Sequence, residues 1–159
     1  MQSSSSSIRS KKGAVGAETN QDIGLSRGGN NTKIHAVVDA LGNPVKLLFT
    51  GGNIFDSKVA VDLLSDLDIS NSTVLADKAY GTSEIRDYIS SQKTAYQIPP
   101  KSNTKNPWEC DFWHYKERHV VECFFQKLKQ FRHIATRYDK LSCCFQAFAY
   151  LACAMILLK

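Results

Sequence analysis

The sequence predicts an α/β fold, a mixed sheet flanked by helices on both faces, and three observations carry that expectation. Residues 33–50 alternate apolar and polar about a Gly42-Asn43 turn. Short apolar runs at 73–76 and 95–98 are separated by helical patterning, and residues 115–129 repeat apolar side chains at helical spacing without Gly or Pro. Strands alternating with helices build a sheet with helices packed against it. At 159 residues the chain is long enough for one domain with a core and short for two, and 43% hydrophobic with 22% charged residues is a globular composition.

Residues 1–32 read as irregular: a serine run, the basic Arg9-Ser10-Lys11-Lys12, and the Gly/Asn-rich segment from Arg27 to Thr32. A short strand around Ser5 to Arg9 is compatible with the run, although serine is a poor strand former. The Gly/Asn segment lacks the spacing of a phosphate-gripping loop and reads as a turn into the next strand. From Lys33 to Asp39 the side chains of Ile34, Ala36 and Val38 share one face. After the turn, Val45, Leu47 and Phe49 do the same, which makes a β-hairpin. Asp39 is assigned to the turn, and Asp56 to the N-cap of a helix through Val59, Leu63, Leu64 and Leu67.

Residues 73–76 are bounded by Asn71-Ser72 and Asp77-Lys78 and read as a buried strand ending on a carboxylate. Ligands sit at the carboxyl ends of strands in open α/β sheets, so Asp77 is either a site residue or an ordinary turn aspartate. A helix from Gly81-Thr82 through Ile85, Tyr88 and Ile89 follows. Then come a strand stopped by Pro99-Pro100 and a polar basic loop from Lys101 to Pro107. The last helix, from Ser142 to Leu158, is apolar nearly all round and is expected to be buried.

The formal charge of +5 is unevenly placed. Residues 1–100 hold ten Lys/Arg and ten Asp/Glu, whereas residues 101–159 hold ten and five. A basic C-terminal third points to a polyanionic partner, with a solvated basic surface as the plain alternative. The five cysteines form no C-x-x-C pair, so neither a disulfide framework nor a zinc knuckle is indicated, and they are assigned mostly to the core. His114 and His119 are read as surface or site-edge residues. The start is polar and the apolar run from Ala147 to Leu158 is shorter than the ~20 residues a bilayer needs, so the expectation is a cytoplasmic protein with no membrane partner.

On the helix of residues 115–129, Val120, Val121, Phe124, Phe125 and Leu128 form the core arc. Tyr115, Arg118, Glu122 and Lys129 fall within roughly 60° of one another on the other side. This ridge is either a solvated face with an ordinary Arg118–Glu122 ion pair, or a place where a carboxylate holds a hard cation and basic groups hold a phosphate.

The spacing Tyr-x2-Arg-x3-Glu-x6-Lys, met by Tyr115, Arg118, Glu122 and Lys129, resembles the C-terminal signature of bacterial insertion-sequence DDE transposases. The segments from Ser26 to Pro44, Thr50 to Gly52, Ala76 to Tyr80, Ile98 to Asn103 and Arg132 to Lys140 are similar to the matching stretches of that family. The likeness runs from about Ile23 to the C-terminus. It implies a ribonuclease-H-like mixed sheet, with a catalytic domain over residues 23–159 behind an irregular leader over residues 1–22. It further implies Asp77 and Glu122 as second and third acidic residues of a triad holding two Mg²⁺ ions for cleaving and joining DNA strands. Tyr115, Arg118 and Lys129 would contact or orient DNA, with Lys127, Arg132 and Arg137 in the adjoining basic run; a homo-oligomer is compatible with the sequence.

The departures narrow this. The family's first Asp belongs on the first strand, shortly upstream of the segment from Gly13 to Ala17, where this chain has only Ser3 to Ser7 and no acidic residue before Glu18. The N-terminal helical region that recognises transposon ends has no counterpart. The expectation is therefore an N-terminally incomplete, C-terminal transposase fragment with a weakened metal site. The competing readings are a non-catalytic DNA-binding or regulatory remnant and a metal-dependent nuclease without strand joining.

Overall fold

A computed structural model describes residues 21–158 and, as backbone, the strand Gln2–Ile8. The five-stranded mixed sheet is built on β3 (Gly29–Val38), which pairs antiparallel with β1 (Gln2–Ile8), β2 (Gly24–Ser26) and β4 (Pro44–Gly51). The far edge of β1 pairs in parallel with the short β7 (Thr136–Arg137). A separate two-stranded parallel sheet consists of β5 (Thr73–Leu75) and β6 (Ala95–Gln97).

The expected hairpin is present, with Ile34 opposite Phe49 and Ala36 opposite Leu47. Its turn is closed by the Asp39 carboxylate, which accepts from the Leu41 and Asn43 backbone N–H groups at 2.9 Å, and by Gly42 at φ 87°, a left-handed position that favours glycine. Desolvation pushes the Asp39 carboxyl upward, but the bonds from Asn43, Leu41 and Gly42 to the anion together outweigh it and leave the pKa below its ordinary value.

Period-two alternation sends the two faces of the hairpin into different cores. Ile34, Ala36 and Leu47 pack with Val121, Phe124 and Leu128 of α4 (His119–Lys129), Ile134 of α5 (Arg132–Ala135) and Phe145 and Ala149 of α6 (Ser142–Leu157). Val37 and Leu48 pack on the other side, against Leu63 and Leu64 of α1 (Ala60–Ser65), Ile85 and Ile89 of α2 (Ser83–Ser91), and the residues around Ala76 and Tyr80. Thr82 caps α2, its hydroxyl accepting from the Ile85 N–H at 3.4 Å. Between the far end of the hairpin, β5 and the start of α4 lies a cavity of about 810 Å³, lined by Val38, Leu67, Val74, Val120 and Arg118 among others.

Several expectations are corrected. The N-terminal stretch is not simply irregular: Gln2–Ile8 is a strand, held by a register from Gln2 opposite Ala36 to Ser7 opposite Asn31, so pairing overrides the weak propensity of serine. The Gly/Asn segment is the expected turn into the next strand, and it joins β2 to β3 with Gly29 at φ 91°. Asp56 caps no helix; it opens a 3₁₀ turn, Asp56–Lys58, and its carboxylate lies 3.0 Å from Lys33 Nζ. The last helix buries only one stripe, leaving Phe148, Tyr150, Leu151 and Met155 exposed because packing partners cover a single side. Of the free cysteines only Cys153 is buried; Cys123, Cys143 and Cys144 are exposed. Among the described residues no helix is long and apolar enough to cross a membrane.

Arg137, expected in the basic DNA-facing run, is wholly buried. Its guanidinium donates to the carbonyls of Asp139, Gln21 and Lys140 at 2.9, 2.9 and 3.2 Å and to the Thr32 hydroxyl at 2.5 Å, and it lies over the Phe145 ring at 5.1 Å. Burial presses its pKa down, opposed by the Asp22 and Asp139 carboxylates. It ties the chain entering β2 to β3 and to the start of α6. Arg137→Ala strands those acceptors in the interior, and a loss of about 3 kcal/mol is expected in urea unfolding, with Arg137→Lys recovering only part.

His35 is also fully buried, its Nε2 2.9 Å from the Thr50 hydroxyl and its Nδ1 without a partner. Desolvation lowers its pKa to about 4, with Asp56 raising it and Lys33 lowering it further. The unfolded chain, with a His pKa of about 6.5, then binds more protons than the folded one between those values. Stability from neutral His35 is therefore whole above about pH 6.5 and lost as pH falls toward 4. Urea midpoints should decline across that window, and His35→Gln should flatten the decline.

Candidate functional site

The ridge residues lie on a nearly continuous helical stretch made of α3 (Phe112–Tyr115), a 3₁₀ turn (Lys116–Arg118) and α4. Asp111 begins it, its carboxylate accepting from the Trp113 N–H at 2.8 Å and meeting His114 Nδ1 at 2.6 Å, so the exposed His114 serves a helix start. His119, also exposed, has its Nδ1 3.1 Å from the Lys116 carbonyl. The 3₁₀ turn falls between Tyr115 and α4 and tightens the spacing expected of one uninterrupted α-helix. Val121, Phe124, Phe125 and Leu128 are buried as the core face, which leaves Glu122 and Lys129 on the outer side.

Arg118 is the centre of the site. Its Nη2 donates to Glu122 Oε1 at 2.5 Å, and its guanidinium carbon stands 5.4 Å from the Tyr115 ring centroid. Its Nε and Nη1 are buried without hydrogen-bond partners. Burial lowers the Arg118 pKa, but the combined pull of Tyr115, Glu122 and Asp77 outweighs it and the net shift is upward. The Tyr115 phenol is raised above its ordinary pKa, first by desolvation and also by the Asp77 charge, while Arg118 opposes the shift. Asp77 therefore acts on the same guanidinium and phenol that Glu122 and the helix provide.

Asp77 lies two residues beyond the end of β5 and occupies the cap position of the 3₁₀ turn Lys78–Tyr80, yet its side chain makes no capping bond. Its backbone carbonyl does the structural work, accepting from the Tyr80 N–H at 2.9 Å. The turn reading thus accounts for the peptide and leaves the carboxylate over. Asp77 lines a cavity of about 610 Å³ together with Lys33, Phe55, Asp56, Lys78 and Lys101. Lys127, Lys129 and Arg132 are exposed on the outer end of the same helical region, while Arg137 faces the interior.

Lys33, Phe55, Asp56, Lys78 and Lys101, which line this cavity with Asp77, were absent from the sequence-based site. The available signal was the alternation that puts Lys33 on the face opposite Ile34. Along β1, Ser5 stands directly opposite Lys33, Ser3 opposite His35 and Ser7 opposite Asn31. Directly opposed residues of an antiparallel pair share a face, so position 5 belongs to the face that carries Lys33 toward Asp56 and the Asp77 cavity.

The donor set does not fit the pair of Mg²⁺ ions implied by the resemblance. Mg²⁺ requires near-octahedral oxygen ligands. Among the described residues no group of three His, Cys, Asp or Glu side chains is placed to hold a metal ion, and Glu122 is already engaged by Arg118.

The transposase DDE domain family matches residues 9–157, nearly the whole chain. The chain belongs to that family. It is 43% identical over 129 residues to a protein of Brucella ovis named "Putative transposase for insertion sequence element IS6501", an alignment covering 80% of this chain and 98% of that one. No solved structure matches the chain.

The geometry makes a prediction that needs no substrate. Asp77→Asn removes a charge that raises the Tyr115 pKa, so the phenol should titrate at lower pH; Arg118→Met should move it higher. NMR titration of the Tyr115 ring carbon checks both. An Asp77→Asn chain with an unmoved Tyr115 would mean the two groups are not neighbours.

Proposed function

We propose that this chain acts on DNA as an insertion-sequence transposase on a ribonuclease-H-like fold, with its strand-cleaving step impaired for want of the first carboxylate. The observation that supports it most is Arg118, bonded to Glu122, close to Tyr115 and within the field of Asp77, with two guanidinium nitrogens unpaired. A guanidinium fork with donors to spare is suited to a phosphate oxygen. The antiparallel order β4, β3, β1 and the separate parallel pair β5 and β6 support the fold assignment.

On this reading Tyr115, Arg118 and Lys129 orient the DNA backbone at the reacting phosphate, and Lys127 and Arg132 hold flanking phosphates without reading sequence. Asp77 and Glu122 remain as two members of a metal-binding triad, short of the residue that the serine run lacks. β1 lies between β3 and β7, outside residues 23–159, so the catalytic unit on this reading includes that strand, and Ser5, paired with Lys33, is the position chosen for restoring the first Asp. Action on bacterial DNA implies a cytoplasmic location. The second reading, a DNA-binding remnant without catalysis, is favoured by the Arg118–Glu122 pair, which holds the carboxylate on a cation of the protein itself.

Cleavage of duplexes carrying the ends of the insertion sequence, in Mg²⁺, separates the two. The chain as it stands should cleave little, Ser5→Asp should raise cleavage at least about tenfold, and Glu122→Gln in that background should abolish the gain. If Ser5→Asp stays inactive while the DNA is still bound, the remnant reading holds. Retention should fall linearly with log salt, and salt-independent retention would remove the DNA reading altogether.

A further inference from the structure

The cavity beside Asp77 has a lining that phosphate orientation by the helix leaves unused. It opens between the Asp56–Lys58 turn, the Lys78 turn and the loop at Lys101, and its volume of about 610 Å³ is within the range of small-ligand sites. Phe55 stands in that lining with 71% of its surface exposed.

The ring is held out by the fold. Lys33 Nζ donates to the Ile54 carbonyl at 2.7 Å and to the Asp56 carboxylate at 3.0 Å, clamping the residues on both sides of Phe55. That clamp occupies the Lys33 cation, whereas Lys78 and Lys101 make no ion pair among the described residues. Asn103 and Ser57 add polar groups. A fixed aromatic face, two unneutralised ammonium groups and a polar rim form a stacking platform with electrostatic hold on a backbone. That chemistry recognises a nucleotide outside a base pair, since a base stacked within a duplex has no face to offer.

We propose that this cavity seats one unpaired nucleotide of the DNA strand next to the reacting phosphate, its base against Phe55 and its phosphates on Lys78 and Lys101. The proposal rests on the DNA reading above and adds to it a preference for locally opened strands. The clamp by Lys33 is a positioning device: it fixes the loop so that the ring need not be ordered when the base arrives.

The test uses the full chain without metal, so that cleavage plays no part. Fluorescence anisotropy is read with a labelled oligothymidylate of about ten nucleotides and with a duplex of the same length. Phe55→Ala should weaken single-strand binding about tenfold and duplex binding less than about twofold, and Phe55→Tyr should restore it. Lys101→Ala should lower the single-strand salt slope by about one. Phe55 is exposed, so these changes leave the cores intact, which thermal melting verifies. If both DNA forms weaken equally, or neither does, the nucleotide seat is overturned while the DNA reading stands. If the unaltered chain binds neither form, the DNA reading itself has failed and the seat with it.

Discussion

The strict alternation of the β3–β4 hairpin is the constraint on which the rest depends. Even-numbered β3 side chains from Thr32 to Val38 face α4 and α6, and odd-numbered ones from Lys33 to Val37 face α1, α2 and the Asp77 turn. One ribbon thus serves as a wall for two apolar clusters, and each cluster carries one acidic residue of the site. Glu122 rides on a helix anchored in the first cluster by Val121, Phe124 and Phe125, and Asp77 follows a strand anchored in the second by Ala76 and Tyr80. Slipping the hairpin by one residue would exchange its faces and separate the two carboxylates from their supports.

Arg118 reconciles the two halves electrostatically. Glu122 bonds its guanidinium directly, and Asp77 acts on it through its charge. Glu122 pairs with Arg118 at 2.5 Å beside a buried guanidinium edge that finds no partner among the described residues.

What was legible in the sequence follows from how local each signal is. The hairpin, α2 and the core face of α4 were readable because period and capping reside in contiguous residues, as with Thr82 ahead of Ile85 and Ile89. The strand of serines was nearly illegible: its existence depends on the open edge of β3, some thirty residues away, not on its own composition. Arg137 misled because a cation in a basic run looks solvated, and its acceptors come from three separate segments: the carbonyl of Gln21, the hydroxyl of Thr32, and the carbonyls of Asp139 and Lys140. Phe55 and Lys33 could not be joined by spacing; a side chain crossing from β3 to the loop after β4 brings them together. The helix Ser142–Leu157 shows the converse error, since an apolar surface says what could be covered and not what is.

The cage around Arg137 also sets the order in which the molecule can be made. Its partners Thr32 and Gln21 lie 105 and 116 residues upstream, and β1 finds its parallel neighbour only in β7. Contacts of such separation close late, because a long loop must be ordered before they reward it. Nearly the whole chain must therefore leave the ribosome before the central strand gains its second neighbour and the interior cation its acceptors. Until then the hairpin and the β5–β6 unit stand as partly covered halves, and Asp77 is in the nascent chain 45 residues before Glu122 follows it.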